Sequence, residues 1–277
     1  MDSENVKVRR ELEEKSRLTR RDVIEMMWHG QGGHIGGSLS IIEILTVLYF
    51  SELRIDPKKP DWEDRDRLIL SKGHAAASLY AILADKGYFP KERLFDTFRV
   101  CIGGMLQEHP DMQNIPGIDM SSGSLGMGLS VGVGMALGKR LMKKDFYIYV
   151  ILGDGEIQEG QIWEAAMAAG HYHLNELIAI IDYNNLQVNG FIDEILTIEP
   201  IKDKWEAFNW NVEEIDGHNI KEISNSLKKA RNYKDKPSVI IAHTIKGKGV
   251  SFIENKIEWH SRNLTYEEMK KALKELE

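Results

Sequence analysis

The residues with the clearest chemical potential stand at the ends of two apolar runs. Gly153-Asp154-Gly155 follows the run YIYVIL, and Asn184 comes just after the run LIAIID. Because the carboxyl ends of parallel strands meet at one edge of a sheet, we expect Asp154 and Asn184 to lie close together. A carboxylate, an amide oxygen and a nearby carbonyl are hard oxygen ligands that suit Mg²⁺, which completes its shell with water and phosphate oxygens. The two glycines allow a ligand to approach the backbone closely.

Other common ligand motifs do not occur. The sequence has no Walker A loop and no H-E-x-x-H motif. The spaced glycines from Gly126 to Gly138 follow a loop and not a strand, which does not fit a dinucleotide fingerprint. The single cysteine, Cys101, excludes an internal disulfide framework and a multi-cysteine metal site.

The composition is that of an ordinary globular protein. The chain has 277 residues, with 36 Lys and Arg against 43 Asp and Glu, and a formal net charge of −7. This acidic balance argues against a general nucleic-acid binder. The N-terminus lacks the apolar core of a signal peptide, and the run Phe146–Leu152 is far shorter than the roughly 20 residues that span a bilayer. We expect a cytoplasmic chain without nucleic-acid or membrane partners, forming a single domain over residues 1–277.

Helical and strand patterns alternate along the chain. The elements that they predict must position Asp154 and Asn184. The alternation predicts an α/β fold, with a parallel twisted sheet that carries helices on both faces. Predicted strands are Leu68–Leu70, Tyr147–Leu152, Leu177–Asp182, Trp210–Ile215 and Ser238–Ala242. Predicted helices are Glu4–His29, Ala75–Lys86, Leu125–Lys143, Gln161–His173, Ile201–Phe208, Ile220–Tyr233 and the tail NLTYEEMKKALKELE.

Two glycine-rich stretches are predicted as loops. The segment QGGHIGG precedes a helix that runs to about Leu53, for which Ser40 and Glu43 have the spacing of a capping box. Residues Gly103–Gly123 contain prolines and glycines with no sustained period, which predicts a long loop. Ordered loops of this length are often functional.

The Gly-Asp-Gly triplet and the asparagine pair together span about 30 residues and resemble the thiamine-diphosphate-binding motif. The wider segment GDGEIQEGQIWEAAMAAGHYHLNELIAIIDYNN is similar to the transketolase branch of that superfamily. Four further segments resemble transketolase landmarks in the right order: GGHIGGSLS, SKGHAAASLYA, EHPDMQNIPGIDMSSGSLGMGLSVGVGMALG and IEWH. The resemblance covers essentially the whole chain and implies the diphosphate-binding domain of the thiamine-diphosphate-binding fold.

The resemblance also implies roles for individual residues. Asp154 and Asn184 would bind Mg²⁺ through their side chains and Leu186 through its carbonyl, with Ca²⁺ or Mn²⁺ as substitutes. Glu159 would sit at a contact between subunits, in a carboxylate network that links paired active sites. The cofactor-binding residues would be His74, Gly123, Leu125, Gly153, Asp154, Gly155, Glu159 and Asn184.

Three histidines are implied as catalytic residues: His34, His109 and His260. They would line the substrate funnel, hold the hydroxyls of the donor sugar and move protons. Histidine suits this work because it titrates near neutrality and both donates and accepts protons.

A full transketolase continues through a pyrimidine-binding domain and a C-terminal domain, whereas this sequence stops at Glu277. The glutamate that activates the cofactor would belong to the part that is missing here. The expectation is therefore the N-terminal subunit of a two-chain transketolase, which joins a C-terminal subunit in an α2β2 assembly. The pair would move a two-carbon ketol unit from a ketose phosphate to an aldose phosphate, with xylulose 5-phosphate and ribose 5-phosphate as the default substrates.

Four positions depart from the usual transketolase pattern, and they surround the substrate funnel more than the cofactor anchor. They are Ile35 for a proline, Glu108 for a glycine, Met127 for a common glutamine and Ser261 for a glycine. A branched or modified sugar phosphate is therefore an alternative substrate. Two other functions stay open: a subunit of a deoxyxylulose-phosphate synthase-like or 2-oxo-acid-decarboxylating enzyme, and a cofactor-holding module without turnover.

Overall fold

A five-stranded parallel sheet forms the centre of the structure, a computed structural model that describes residues 3–277. Its strands lie in the order β1-β2-β3-β7-β6, and two further strands, β4 and β5, pair as a short antiparallel hairpin directly after β3. The strands are β1 (Arg67–Leu70), β2 (Ile148–Gly153), β3 (Leu177–Tyr183), β4 (Leu186–Gln187), β5 (Gly190–Phe191), β6 (Asn211–Asp216) and β7 (Ser238–His243).

Eleven α-helices surround the sheet within the described residues. They are α1 (Ser3–His29), α2 (Ile35–Leu39), α3 (Ile42–Val47), α4 (Ala76–Lys86), α5 (Arg93–Thr97), α6 (Gly128–Leu141), α7 (Gly160–His171), α8 (Ile192–Ile195), α9 (Ile201–Ala207), α10 (Ile220–Asn232) and α11 (Tyr266–Glu275). A π-helix extends α3 over Leu48–Glu52, and short 3-10 helices cover Gly73–Ala75, Glu156–Gln158 and Ile257–Trp259. None of the helices in residues 3–277 has the length and apolar character to cross a membrane.

Alternating residues of each central strand face two separate hydrophobic clusters. Ile151 and Ile180 join the cluster that contains α1, α3, α4, α10 and α11, while Val150 and Ala179 join the one formed with α6, α7 and α9. Side chains alternate along a strand, so an apolar run buries both faces of a sheet only when helices cover both. The predicted α/β class, with a parallel sheet between two helical layers, is confirmed.

The capping-box prediction at Ser40 and Glu43 is wrong. Helix α3 begins at Ile42, and no side chain caps it. The Ser40 hydroxyl instead donates to Asp182 at 2.7 Å, and Glu43 pairs with Arg20. Tertiary partners therefore take both side chains away from the helix terminus that their spacing suggests.

The segment predicted as the loop QGGHIGG is helical in its second half, because α2 begins at Ile35. Its five residues are all buried, so packing and not intrinsic preference stabilises this short helix. The other predicted strands and helices are present, with ends that differ by a few residues. Helices α5 and α8 and the β4–β5 hairpin were not predicted, since each is too short to show a period.

Strand β6 is one edge of the sheet and carries three acidic side chains. Glu214 and Asp216 are exposed and Glu213 is half-buried, while Ile215 between them points inward. The opposite edge is the four-residue strand β1.

Candidate functional site

A cavity of about 390 Å³ opens at the carboxyl edge of the sheet, where β2 and β3 end side by side. In the strand register Gly153 lies opposite Asp182, so the residues that follow each strand converge. This is the position at which open α/β sheets bind ligands. The cavity is lined by His34, Lys72, His74, His109, Gly123, Leu125, Gly153, Asp154, Gly155, Glu156, Asn184, Leu186, Gln187, Val188, Asn189, Lys246 and His260.

Asp154 is held in place by the backbone around it. Its Oδ2 accepts hydrogen bonds from the N–H groups of Asn184 at 2.8 Å and Asn185 at 2.6 Å, and its Oδ1 accepts one from Gly155 at 2.7 Å. Asn185 has a φ of 60°, which turns the chain back over the carboxylate. The predicted meeting of Asp154 and Asn184 is present in the structure.

Asn184 is oriented by a hydrogen bond to the buried Asp182. Its Nδ2 donates to Asp182 Oδ2 at 3.0 Å, and its Oδ1 accepts from the Leu186 N–H at 3.2 Å. An amide oxygen has two lone pairs, so Oδ1 keeps one for a further partner. The carbonyl oxygen of Leu186 accepts from Lys246 Nζ at 2.7 Å.

These groups fit a divalent cation. Burial, and next the Asp182 carboxylate, raises the pKa of Asp154 to about 6, so the ionised side chain benefits from a positive neighbour. Burial, and next the nearby Lys72 ammonium, lowers the pKa of Lys246 to about 8, so this lysine is still mostly charged at neutral pH but loses its charge more readily than an exposed lysine. A carboxylate after β2, together with an amide oxygen and a carbonyl after β3, forms an oxygen donor set of the kind that Mg²⁺ and Ca²⁺ prefer.

Four buried charged residues around this turn were missed from the sequence. Lys72 pairs with Asp182, which also accepts from Ser40 and Thr244. Glu156 accepts from the N–H groups of Gly153 at 3.0 Å and Gly126 at 2.9 Å. The fourth is Lys246. A signal was present for the two lysines, since each lies in a glycine-flanked segment that follows a strand, SKG and IKGKG.

Three histidines gather on one side of the cavity. The ring of His34 lies 5.2 Å from that of His74 and 5.4 Å from that of His260, and His74 lies 5.6 Å from His260. Burial lowers the pKa of His260 to about 3 and the pKa of His74 well below its ordinary value, with the lysine ammoniums adding to both shifts. The rings of His74 and His260 are therefore neutral at neutral pH, and each keeps one unprotonated nitrogen.

His109 stands further out, with its ring 6.3 Å from that of His34. A Cβ atom on Gly123 would lie 2.7 Å from His109 Cδ2, and Gly123 has a φ of 139°. Both the conformation and the space therefore require glycine beside this histidine. The long predicted loop thus brings His109, Gly123 and the neighbouring Leu125 to the cavity.

Glu159 is not brought to the cavity with the other predicted residues. It lies at the start of α7, exposed, with its Cβ 2.9 Å from the place where a Cβ on Gly126 would be. Every other predicted site residue lines the cavity.

Comparison with known proteins assigns this architecture to a family. The model of the transketolase thiamine-diphosphate-binding domain matches residues 9–276. The chain belongs to the transketolase family. The transketolase of Leishmania mexicana superposes with a TM-score of 0.91 at 29% identity, over 96% of this chain and 41% of its own length. That of Campylobacter jejuni gives a TM-score of 0.89 at 33% identity, over 96% of this chain and 42% of its own.

Relatives of similar length are named as subunits. A 6-deoxy-6-sulfo-D-fructose transketolase subunit of Clostridium sp. (strain MSTE9) is 50% identical over 96% of both chains. An apulose-4-phosphate transketolase subunit of Phocaeicola vulgatus is 42% identical over 96% of this chain and 93% of its own. The transketolase of Rattus norvegicus is 38% identical over 84% of this chain but only 36% of its own length. The expected relation to the N-terminal subunit of a split transketolase is confirmed.

Proposed function

We propose that this transketolase-family chain, together with a complementary subunit, transfers a two-carbon ketol unit from a ketose to an aldose phosphate, with thiamine diphosphate and Mg²⁺ as cofactors. The observation that carries the proposal is the cavity itself. It gathers an oxygen donor set for a cation, two buried lysines for an anion and four histidines in about 390 Å³.

The cation and the diphosphate would occupy the inner end of this cavity. Asp154 and Asn184 would hold Mg²⁺ through their side chains and Leu186 through its carbonyl, after Lys246 Nζ leaves that carbonyl. The backbone at Gly153 and Gly155 has no side chain in the way of a phosphate oxygen. His74 would contact the diphosphate, and Gly123 and Leu125 would lie along the rings of the cofactor. Thiamine diphosphate, when bound, supplies the nucleophilic carbon for breaking a carbon–carbon bond.

The remaining histidines would handle the hydroxyl protons of the sugar. Burial lowers the pKa of both His34 and His260, so each ring is neutral near pH 7 and keeps an unprotonated nitrogen that would take the proton of a sugar hydroxyl as the bond beside it breaks. His109, at the outer side, would hold another hydroxyl of the donor. Glu159 lies on the exposed side of the neighbouring turn, where it would meet another subunit.

We propose a modified ketose as the donor. Two relatives support this: the 6-deoxy-6-sulfo-D-fructose transketolase subunit, at 50% identity, and the apulose-4-phosphate transketolase subunit, at 42% identity. Glu108 also supports a modified donor, because it stands where the transketolase pattern has a glycine. Its side chain lies beside the histidines that would hold the donor, 2.9 Å from His34 Nδ1. Xylulose 5-phosphate is the second candidate, favoured by the 38% identity to a full-length transketolase.

The partner would be a chain that carries the pyrimidine-binding domain, in an α2β2 assembly. Support comes from the relatives named as subunits, whose length this chain matches. Leu125, which lines the cavity, and Met127, two residues along, are exposed apolar side chains, as expected where another chain would complete the site.

The deciding experiment is a transfer assay on the complex recovered from cells by native pull-down, with thiamine diphosphate, Mg²⁺ and an aldose phosphate acceptor. Donors would be 6-deoxy-6-sulfo-D-fructose, apulose 4-phosphate, fructose 6-phosphate and xylulose 5-phosphate. We expect transfer only with the complex, and faster with a modified donor. Release of CO₂ from pyruvate without ketol transfer would contradict the proposal. A preference for xylulose 5-phosphate would support the proposed ketol transfer but contradict the proposal that the donor is a modified ketose.

A further inference from the structure

The carboxylate of Glu108 lies against the histidine group. Its Oε1 is 2.9 Å from His34 Nδ1, and its Oε2 is 3.5 Å from Arg99 Nε. His34 Nδ1 is buried and makes no well-aligned hydrogen bond within the described residues, so its 2.9 Å approach to Glu108 is a close ion-pair contact. Glu108 is therefore the carboxylate placed to influence the proton on this nitrogen.

Arg99 holds the carboxylate at this place. Its Nη1 donates to the carbonyl oxygens of Gly30 at 3.3 Å and Gln31 at 3.0 Å, in the turn that leads to His34. Because the guanidinium is anchored to the same turn that carries the histidine, Glu108 and His34 keep a fixed relation. A fixed carboxylate can orient an imidazole more effectively than a mobile one.

We propose that Glu108 is a positioning residue for His34. A carboxylate at Nδ1 favours the imidazole that carries its proton on Nδ1, and this leaves Nε2 as the acceptor. When Nε2 takes a proton, the same carboxylate stabilises the resulting imidazolium, as the acid does in a histidine–carboxylate pair. The inference deepens the proposed function, and rests on it, because the proton in question would come from a hydroxyl of the donor.

Among the charged neighbours of His34, Glu108 is the one that favours the protonated imidazole. The titratable and charged groups that face His34 from the packed segments are Glu108, Arg99, His109, His74 and His260. Burial lowers the pKa of His34, the Glu108 carboxylate raises it, and His109 and Arg99 lower it. Glu108 is the acidic member of this set, so losing its charge leaves surroundings that all oppose protonation.

Histidine titration by NMR on the full chain, without cofactor, tests the pairing directly. We compare wild type with Glu108→Gln, Glu108→Asp and, as a matched control, Glu206→Gln on the exposed face of α9. In Glu108→Gln the pKa of His34 is expected to fall below its wild-type value, while Glu108→Asp keeps part of the effect and Glu206→Gln leaves it unchanged. An unchanged pKa of His34 in a folded Glu108→Gln chain overturns the proposal.

A pH profile of the transferring complex gives the second readout. Since His34 accepts a proton only when neutral, Glu108→Gln is expected to move the acid limb of kcat/KM to lower pH and to lower its plateau by about 10- to 100-fold. A loss of activity without movement of the limb would indicate a merely structural role and overturn the inference. If the wild-type complex transfers no ketol unit, the proposed function fails, whereas the titration still decides the pairing of Glu108 and His34.

Discussion

A buried carboxylate such as that of Asp154 is unfavourable unless a cation meets it. Three backbone N–H groups hold the side chain, yet its pKa is still raised to about 6, with burial as the main cause. The backbone therefore fixes the position of the charge without neutralising it. At the residue scale, the ionised Asp154 side chain is positioned for a cation, and its burial destabilises the protein when no cation is bound.

Replacing Asp154 by Asn should remove this charge while keeping the size of the side chain. We expect the affinity for Mg²⁺ with thiamine diphosphate to fall by about 100-fold or more, since even indirect partners of a metal typically contribute about 10- to 100-fold. Isothermal titration of the recovered complex measures the change. The control is Asp203→Asn on the exposed side of α9, and equal cofactor affinity in the two variants would remove Asp154 from the site.

Gly123→Ala tests how closely His109 must be placed. The added methyl group would lie 2.7 Å from His109 Cδ2, so the imidazole must move. We expect kcat/KM of the complex to fall by about 10-fold or more, because small displacements of positioned groups are costly. Gly103→Ala is the control, since Gly103 also has a positive φ, 78°, but has open space around its added methyl group. Equal losses in both variants would assign the effect to backbone conformation alone.

At the scale of elements, helix α6 approaches the sheet through a glycine. A Cβ atom on Gly132 would lie 2.8 Å from Val150 Cγ2 and 3.1 Å from Leu177 Cδ1, whereas one on Gly134, two residues along, would meet nothing within 4 Å. The buried side of α6 is therefore shaped for close contact with β2 and β3. On the exposed side of α6, no close contact within the described residues requires a glycine at position 134.

This contrast predicts opposite effects of the same substitution. Gly132→Ala should lower the free energy of unfolding by about 1–3 kcal/mol, because the valine and leucine must shift in a packed core. Gly134→Ala should raise it by about 0.5–1 kcal/mol, since alanine favours the helix. Urea denaturation of the chain alone measures both. A loss of stability in Gly134→Ala would contradict the open space found around Gly134 on the exposed side of α6.

The sequence predicts the strands and the meeting of Asp154 with Asn184 because local pattern determines both. Buried parallel strands are apolar runs, and the side chains that follow them share one edge. The role of Lys246 could not be found in this way, since its contact with Leu186 joins segments 60 residues apart. The capping prediction for Ser40 failed for the same reason. The local sequence around Ser40 cannot show whether its hydroxyl caps a helix or donates to Asp182, which is distant in the sequence.

Over the whole molecule, Glu43 links three parts of the chain. It pairs with Arg20 of α1, lies 3.1 Å from His218 Nδ1, and His218 Nε2 accepts from the Ile245 N–H at 2.8 Å. Burial alone would raise the pKa of Glu43, but Arg20 and His218 outweigh burial and lower it below its ordinary value of 4.5. The ionised carboxylate therefore stabilises the folded chain.

The sign of the pH dependence follows from this lowered pKa. The stabilisation is fully present above the unfolded value of 4.5 and is lost as the pH falls through the lower folded value. Glu43→Gln should therefore be less stable than wild type by about 3 kcal/mol at pH 7, because Arg20 is left buried without its partner charge. Urea denaturation of both chains from pH 7 downward should show the gap shrinking below 4.5. A gap of constant size would refute the assignment.

The acidic edge strand β6 has a consequence for contacts between copies of the chain. An unpaired strand edge is a template on which a second copy can add its own strand, and the usual outcome is aggregation. Glu213, Glu214 and Asp216 place like charges along this edge, so two copies that approach edge to edge repel each other. The other edge, β1, is only four residues long and offers a short template. The charges of this edge therefore disfavour the growth of a continuous sheet from copy to copy.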